Sequence, residues 1–145
     1  MRKDISIVEG NTMLRMEFDG SCEVGSEGNA GYGVVIKRDG KIIDELVGTL
    51  ENKGWMTSNR AEYMALIIGL KYIKERYPGE SVICRGDSKL VIRQIQGDMP
   101  VNSNGLFDLW KKASKLANSM NISFEWVHRS KNKRADELSR RKIVK

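Results

Sequence analysis

Four carboxylates in this sequence have positions from which they could hold a metal ion instead of facing water. They are Asp19, Glu62, Asp87 and Asp136, each on a different predicted element. A carboxylate that faces the core is costly when it is alone, but several can share a divalent cation. Two Mg²⁺ ions about 4 Å apart can activate water and stabilise a leaving oxygen in phosphodiester cleavage. The four acids therefore indicate a hydrolytic metal site, provided that the fold brings them together.

Each acid also has a purely structural interpretation, which the residues alone leave open. Asp19 and Asp87 each precede a small residue and could be turn or N-cap residues. Glu62 could be the acid of a capping box that begins at Asn59, and Asp136 a first-turn acid favoured by the helix dipole. The i+4 neighbour of Glu62 lies on an apolar stripe, however, which predicts that Glu62 points toward the sheet.

Hydrophobic periodicity predicts the elements that must position these acids. Strands are expected near residues 14–19, 32–37, 41–49, 81–85 and 122–126, and helices near 58–77, 88–96 and 106–120 and from 132 onward. The first three strands can form an antiparallel meander, whereas the later strands are reached across helices and must pair in parallel. The expected fold class is α/β, a mixed five-stranded sheet flanked by helices in the order βββαβαβα with small additions.

Composition predicts one globular domain with a basic end. The chain has 145 residues and a net charge of +6, and residues 129–145 alone contain eight basic and two acidic residues. We expect a single domain over residues 13–145 with a basic C-terminal tail, preceded by a loosely held leader over residues 1–12. A basic patch suggests a nucleic-acid partner, with a solvated tail as the alternative. No apolar run approaches the length of a membrane span, so no membrane partner is expected.

The motifs around the four acids resemble those of type 1 ribonuclease H. The segments that carry the likeness are Phe18-Asp19-Gly20-Ser21, residues 57–62, Gly86-Asp87-Ser88 and residues 132–138. The likeness covers roughly residues 13–141. It implies a ribonuclease H-like fold and an endonuclease that hydrolyses the RNA strand of RNA/DNA hybrids by two-metal-ion catalysis, giving 3′-hydroxyl and 5′-phosphate ends. A non-catalytic nucleic-acid-binding module, or a nuclease for double-stranded RNA or RNA–DNA junctions, is the alternative.

The resemblance also implies roles for individual residues. It makes Asp19, Glu62, Asp87 and Asp136 the catalytic ligands of two Mg²⁺ or Mn²⁺ ions. Family members often carry a histidine on the loop before the last acid, so His128, or Arg129 in its place, would assist proton transfer. The implied substrate contacts are Gly20, Ser21, Thr57, Asn59, Ser88, Lys89, Arg129 and Asn132. Helix capping is the alternative for Thr57 and Asn59.

One departure from the family concerns the segment from residue 97 to residue 105. It contains no basic residue, so the basic handle helix of some family members is missing. Part of the affinity for a hybrid would then come from the basic C-terminal tail. Among the tryptophans, Trp110 and Trp126 are expected in the core, and Trp55 is placed for a substrate contact.

The two cysteines are predicted to be free thiols. If Asp19 and Asp87 are level on neighbouring parallel strands, Cys22 lies three residues beyond its acid and Cys84 three residues before. That separation exceeds the reach of a disulfide. Few cysteines and no apolar leader favour a reducing cytoplasm, and a monomer is the expected state.

Overall fold

A mixed five-stranded sheet forms the centre of the computed structural model, which describes residues 13–23, 29–52, 54–102 and 104–141. The strands are β1 (Leu14–Cys22), β2 (Ala30–Arg38), β3 (Lys41–Thr49), β4 (Val82–Gly86) and β5 (Ile122–Trp126). The helices are α1 (Ser58–Arg76), α2 (Lys89–Gln96), α3 (Asn104–Asn118) and α4 (Lys133–Ser139), and a 3₁₀ turn (Arg129–Lys131) precedes α4.

The strand order is β3-β2-β1-β4-β5. β1, β2 and β3 pair in antiparallel fashion, whereas β4 is parallel to β1 and β5 is parallel to β4. The predicted fold class is therefore confirmed. The addition to the simple order is that two helices, α2 and α3, lie between β4 and β5.

The first strand does not end at Asp19, as the sequence pattern predicts, but continues to Cys22. Antiparallel pairing with β2 extends through Cys22 opposite Ala30. Pairing with β4 is recorded only as far as Glu17 opposite Arg85. Asp19 therefore lies in the part of β1 that is still paired with β2 but is beyond the last residue paired with β4.

Different helices cover the two faces of β1. Leu14, Met16 and Phe18 are fully buried in the main core, which also contains Leu66 of α1. Asp19 is in the opposite phase, the polar side of the alternation along β1, and contacts α4. Only 4% of Asp19 is exposed, because α4 lies over this face of the sheet.

Two glycines of β2 allow α4 to lie directly against the sheet. A Cβ atom on Gly33 would be 2.5 Å from the carbonyl oxygen of Ala135 and 2.6 Å from Cβ of Leu138. A Cβ atom on Gly31 would be 2.5 Å from the carbonyl oxygen of Ser139. Two of these atoms are backbone carbonyl oxygens and the third is the first side-chain carbon of Leu138, so none can move aside and only glycine permits this approach.

Thr57 caps α1, which is the alternative given above for this residue, and Asn59 does not begin a capping box. The Thr57 side chain accepts a hydrogen bond from the Arg60 backbone N–H at 3.1 Å. The residue three positions after this cap is Arg60, so Glu62 cannot close a capping box. The helix-capping interpretation of Glu62 is wrong, and the predicted orientation toward the sheet stands.

Cys22 and Cys84 are free thiols, as predicted. The β1–β4 register pairs Met16 with Cys84, so Cys22 lies six residues beyond that level. Within the described ranges, no helix is both long and apolar enough to cross a lipid bilayer. The leader proposed for residues 1–12 and residues 142–145 of the basic tail lie outside the described residues, so the domain boundaries stay a prediction.

Candidate active site

Three of the four predicted acids meet at one end of the sheet. Asp19 comes from β1, Glu62 from α1 and Asp87 from the turn after β4. Each offers one carboxylate oxygen, and these oxygens all lie within 4.8 Å of one another. The register that pairs Met16 with Cys84 puts Asp19 level with Asp87, the condition on which the prediction of free thiols depended. Residues far apart in sequence therefore form one cluster, which we call the acid cluster (Asp19, Glu62 and Asp87).

Hydrogen bonds from surrounding groups orient each member of the acid cluster. The backbone N–H of Gly20 donates to Glu62 Oε1 at 3.0 Å. The Ser139 hydroxyl donates to Asp19 Oδ2 at 2.6 Å, and Asn132 Nδ2 donates to Asp87 Oδ2 at 3.3 Å. The cluster is therefore supported from α4 and the residues just before it.

Gly20 also has a steric role beside the acid cluster. A Cβ atom on this residue would lie 2.1 Å from the carbonyl oxygen of Ala61. The missing side chain lets the first turns of α1 close over the end of β1, which brings Glu62 to Asp19.

Burial and like charges favour the protonated forms of Asp19 and Glu62. The pKa of Asp19 is raised from 3.8 to about 7, chiefly by burial; the hydrogen bond from Ser139 opposes this rise, and the charges of Asp87 and Asp136 add to it. Burial also raises the pKa of Glu62 well above its usual value, with added repulsion from Asp19 and Asp87.

Three hard oxygen ligands around one point are the donor set that Mg²⁺ and Mn²⁺ prefer. In the part of the chain that the structure describes, no lysine or arginine forms an ion pair with these three acids. The residues present therefore fit a divalent cation, which would relieve this repulsion.

The fourth predicted acid, Asp136, lies beside the acid cluster but is paired elsewhere. It is in the first turn of α4, as predicted, and its charge acts on Asp19. Its Oδ1 accepts from Arg140 Nε at 2.8 Å, across one helical turn. The structure thus brings Asp136 close to the cluster and turns its carboxylate toward an arginine.

A cleft of about 460 Å³ opens onto Asp19 and Glu62. Gly20 and Ser21, both predicted substrate contacts, form part of its wall. Its basic lining residues are Arg129, Arg140 and Arg141. Acidic groups at the floor and arginines at the wall suit a ligand that carries phosphates next to bound cations.

Thr57 and Asn59 lie in a second groove of about 700 Å³. Trp55 forms part of this groove and is 42% exposed, with the Arg60 guanidinium 4.1 Å from its ring centroid. Arg60 also donates to the carbonyl of Gly105 in α3. Trp55 is thus accessible and its substrate contact stays a prediction, while the hydroxyl of Thr57 is used as a helix cap.

Two further predicted contacts lie beside Asp87. Ser88 caps α2 and accepts from the Val91 backbone N–H at 3.2 Å. Lys89 places its Nζ 4.7 Å from the ring centroid of Trp126. Trp126 is 39% exposed, so its predicted burial is wrong. β5 is an edge strand, and the indole at its end instead donates to the Asp87 carbonyl at 3.0 Å.

The two remaining predicted residues have roles within the fold. Asn132 is fully buried, so its side chain offers no surface to a substrate, and the predicted direct contact is wrong. Its Nδ2 donates to the carbonyl of Phe18 at 2.9 Å as well as to Asp87. His128 caps the 3₁₀ turn, because its Nδ1 accepts from the Ser130 backbone N–H at 3.2 Å.

Sequence reasoning missed Ser139, which is 2% exposed and touches Asp19. The signal available was spacing. Asn132, Asp136 and Ser139 recur at i, i+4 and i+7 along α4 and the residue before it, which places three polar side chains on one helix face.

Comparison with known proteins adds independent information. A family model described as reverse transcriptase-like matches residues 17–142. A bifunctional protein of Mycobacterium tuberculosis is 36% identical over 128 residues, which cover 86% of this chain and 34% of that protein. This chain therefore spans about a third of that relative's length. A ribonuclease H of Desulforamulus reducens is 31% identical over 148 residues, covering 89% of this chain and 88% of that protein.

A solved structure agrees with the fold and the extent of the match. LC11 ribonuclease H1, determined in complex with an RNA/DNA hybrid, superposes with a TM-score of 0.77 at 31% identity. The match covers 86% of this chain and 92% of that one. Sequence, fold and length thus agree, and the chain belongs to the ribonuclease H family.

Proposed function

We propose that this protein is an endonuclease that hydrolyses the RNA strand of RNA/DNA hybrids with divalent cations. The observation that carries the proposal is the acid cluster, three carboxylates from three elements within 4.8 Å of one another. The products would be 3′-hydroxyl and 5′-phosphate ends. The family membership and the hybrid bound to LC11 ribonuclease H1 support this choice of substrate.

The acid cluster would hold two Mg²⁺ or Mn²⁺ ions, with Asp136 as the fourth ligand. When bound, such ions lower the pKa of a water molecule and stabilise the leaving oxygen. The chain itself supplies oriented carboxylates, because Gly20, Asn132 and Ser139 each donate a hydrogen bond to one of them. For Asp136 to take part, its carboxylate must exchange Arg140 for a cation.

Arg129 is the better candidate for a group next to the reacting phosphate. It lines the cleft above Asp19, and a guanidinium can donate two hydrogen bonds to phosphate oxygens. His128 is engaged through Nδ1 with the 3₁₀ turn. We therefore assign phosphate contact to Arg129, while proton transfer by His128 through its other ring nitrogen stays part of the proposal.

The remaining contacts divide between the two openings. Gly20 and Ser21 would meet the RNA strand in the cleft, where backbone and hydroxyl groups can recognise ribose 2′-hydroxyls. Thr57 and Asn59 would meet the DNA strand along the second groove, and Ser88 and Lys89 would lie beside the third acid. The proposal also includes that the protein acts as a monomer in a reducing cytoplasm.

Cleavage assays with labelled substrates test the activity. We expect cleavage of an RNA/DNA hybrid with Mg²⁺, no cleavage with EDTA, and no cleavage of double-stranded DNA. Cleavage that persists in EDTA would contradict the metal mechanism. Binding of the hybrid without cleavage would favour the non-catalytic module, and equal cleavage of double-stranded RNA would favour the related nuclease.

The salt dependence of hybrid binding tests the arginines of the cleft. We expect the double variant Arg129→Gln/Arg141→Gln to bind the hybrid more weakly and to flatten the plot of log affinity against log salt. The slope should fall by about 0.9 for each phosphate contact that is lost. The binding is measured with Ca²⁺ in place of Mg²⁺, so that cleavage does not interfere.

A matched double variant controls for the change in net charge. Lys71→Gln/Lys74→Gln removes two exposed charges near the far end of α1, and Lys74 lies about 18 Å along the helix from Glu62. Its slope should equal that of the unmodified protein. Equal slopes of log affinity against log salt for both double variants would indicate that the basic segment is only a solvated surface.

A further inference from the structure

The Ser139 hydroxyl connects α4 to the acid cluster through a short hydrogen bond. Its Oγ lies 2.6 Å from Asp19 Oδ2, and the residue is 2% exposed. The two residues are 120 positions apart in the sequence. A hydrogen bond from a neutral donor to a carboxylate is stronger than one between neutral groups, and exclusion of water strengthens it further.

The backbone of Ser139 is itself held in place. Ser21 Oγ donates to the Ser139 carbonyl oxygen at 2.6 Å, which ties the end of α4 back to β1. The carbonyl of Ser139 also packs where a side chain on Gly31 would otherwise lie. Both ends of the Ser139–Asp19 contact are therefore anchored to the same strand.

The Ser139 hydroxyl has two acceptors but only one proton. Besides Asp19, it lies 2.8 Å from the carbonyl oxygen of Asp136, one turn earlier in α4. The carboxylate is the closer acceptor and carries the charge, so the proton is best used there. The carbonyl of Asp136 has a second partner in the backbone N–H of Arg140.

We infer that Ser139 is a positioning residue that fixes the carboxylate of Asp19 for cation binding. The inference rests on the proposed function, because it assigns the acid cluster to a divalent cation. A hydrogen bond to Oδ2 stops rotation of the carboxylate about its last torsion, and Oδ1 and the free electron pair of Oδ2 stay available as ligands. Partners that orient a ligand in this way commonly contribute ten- to hundredfold to metal affinity.

Calorimetric titration of the nucleic-acid-free protein with Mn²⁺ tests the inference. Mn²⁺ uses the same oxygen ligands as Mg²⁺. We expect Ser139→Ala to bind Mn²⁺ ten- to hundredfold more weakly than the unmodified protein. Ser139→Cys, which fills the site with a somewhat larger group that is a poor donor, should show the same loss and guards against a cavity in the alanine variant.

A serine elsewhere in the chain provides the matched control. Ser119, after α3, donates to the carbonyl of Leu116 three residues earlier at 2.7 Å, as Ser139 can to Asp136, but touches no carboxylate. Ser119→Ala should leave the Mn²⁺ affinity unchanged. In cleavage assays, Ser139→Ala should raise the Mg²⁺ concentration that gives half the maximal rate and leave the KM for hybrid unchanged, a shift that partial unfolding does not produce.

The outcomes separate this inference from the proposed function. Equal Mn²⁺ affinities for the unmodified protein, Ser139→Ala and Ser139→Cys would overturn the role of Ser139, whether or not the hybrid is cleaved. Weaker Mn²⁺ binding by both variants would support it even if no hybrid were cleaved, and would leave the activity as the failed proposal. An unmodified protein that binds no Mn²⁺ would overturn both.

Discussion

Asp19→Asn is expected to abolish hybrid cleavage and, at the same time, to stabilise the metal-free fold above neutral pH. The asparagine cannot supply the charge that holds a cation, and loss of metal assistance costs several kcal/mol of transition-state stabilisation. We therefore expect at least about a thousandfold slower cleavage. The fold should tolerate the change, because the amide oxygen of asparagine can still accept from Ser139.

The stabilising half of this expectation follows from the pKa of Asp19. Its pKa in the folded protein, about 7, lies above the value of 3.8 for the unconstrained side chain. The folded state therefore holds this proton more tightly than the unfolded state, so the free energy of unfolding falls as pH rises from about 4 to about 7. Above that window the full penalty of the charge at Asp19 applies, on the order of 4 kcal/mol. Asp19→Asn removes it.

Urea denaturation in EDTA at pH 4 and pH 8 measures this difference. The variant should gain stability over the unmodified protein at pH 8 but not at pH 4, and Mg²⁺ should stabilise only the unmodified protein. Asp44→Asn is the matched control, because Asp44 accepts hydroxyl bonds from Tyr72 and Tyr77 at 2.6 and 3.1 Å but is outside the acid cluster. It should leave cleavage unchanged. Full cleavage by Asp19→Asn, or lower stability at pH 8, would contradict the assignment of Asp19.

Gly33→Ala is expected to separate α4 from the sheet although it adds only a methyl group. The new Cβ would lie 2.5 Å from the Ala135 carbonyl oxygen and 2.9 Å from the Ser139 backbone nitrogen. Overpacking of this kind costs up to about 3 kcal/mol. Since α4 carries Ser139 and Asp136, its displacement should also weaken Mn²⁺ binding about tenfold or more.

Gly69→Ala provides the comparison for this variant. Its Cβ would be 2.4 Å from the terminal methyl of Met16, a flexible group that can move, and alanine favours the helix. We expect its free energy of unfolding to stay within about 1 kcal/mol of the unmodified protein and its Mn²⁺ affinity to be unchanged. The contact of α4 with β2 would be unimportant if both glycine variants behaved alike in calorimetry and denaturation.

The sequence predicts the arrangement of the acids wherever local periodicity decides it. The phase of β1 puts Asp19 opposite the core residues, and the i+4 relation to Leu66 turns Glu62 toward the sheet. Asp19 and Asp87 lie at the same level because β1 and β4 are parallel neighbours. The resemblance to ribonuclease H supplied this neighbour relation. These features depend on neighbours in sequence or on a known topology.

Other features depend on which element covers which face, and periodicity does not contain that information. Trp126 alternates with Ile122 and Phe124, which predicts burial, but its strand is at the sheet edge and the indole is 39% exposed. Ser139 is one more polar residue in a short helix until α4 is placed on β1. The turn of Asp136 toward Arg140 is likewise a choice between two partners within reach, which only the packed structure decides.

The short length of α4 and its separate apolar cluster have a consequence for the dynamics of the site. This seven-residue helix packs through Ala135 and Leu138 into a separate cluster with Val35 and Val47, apart from the main core. Its opening would expose that cluster and Asp19 but leave the main core buried, so it requires far less free energy than global unfolding. Closing it again joins residues 120 positions apart, which carries a large loop-closure entropy while the sheet is unformed and little once the sheet exists. We expect the sheet to persist through such openings, while the support of Asp19 from α4 is repeatedly lost and regained.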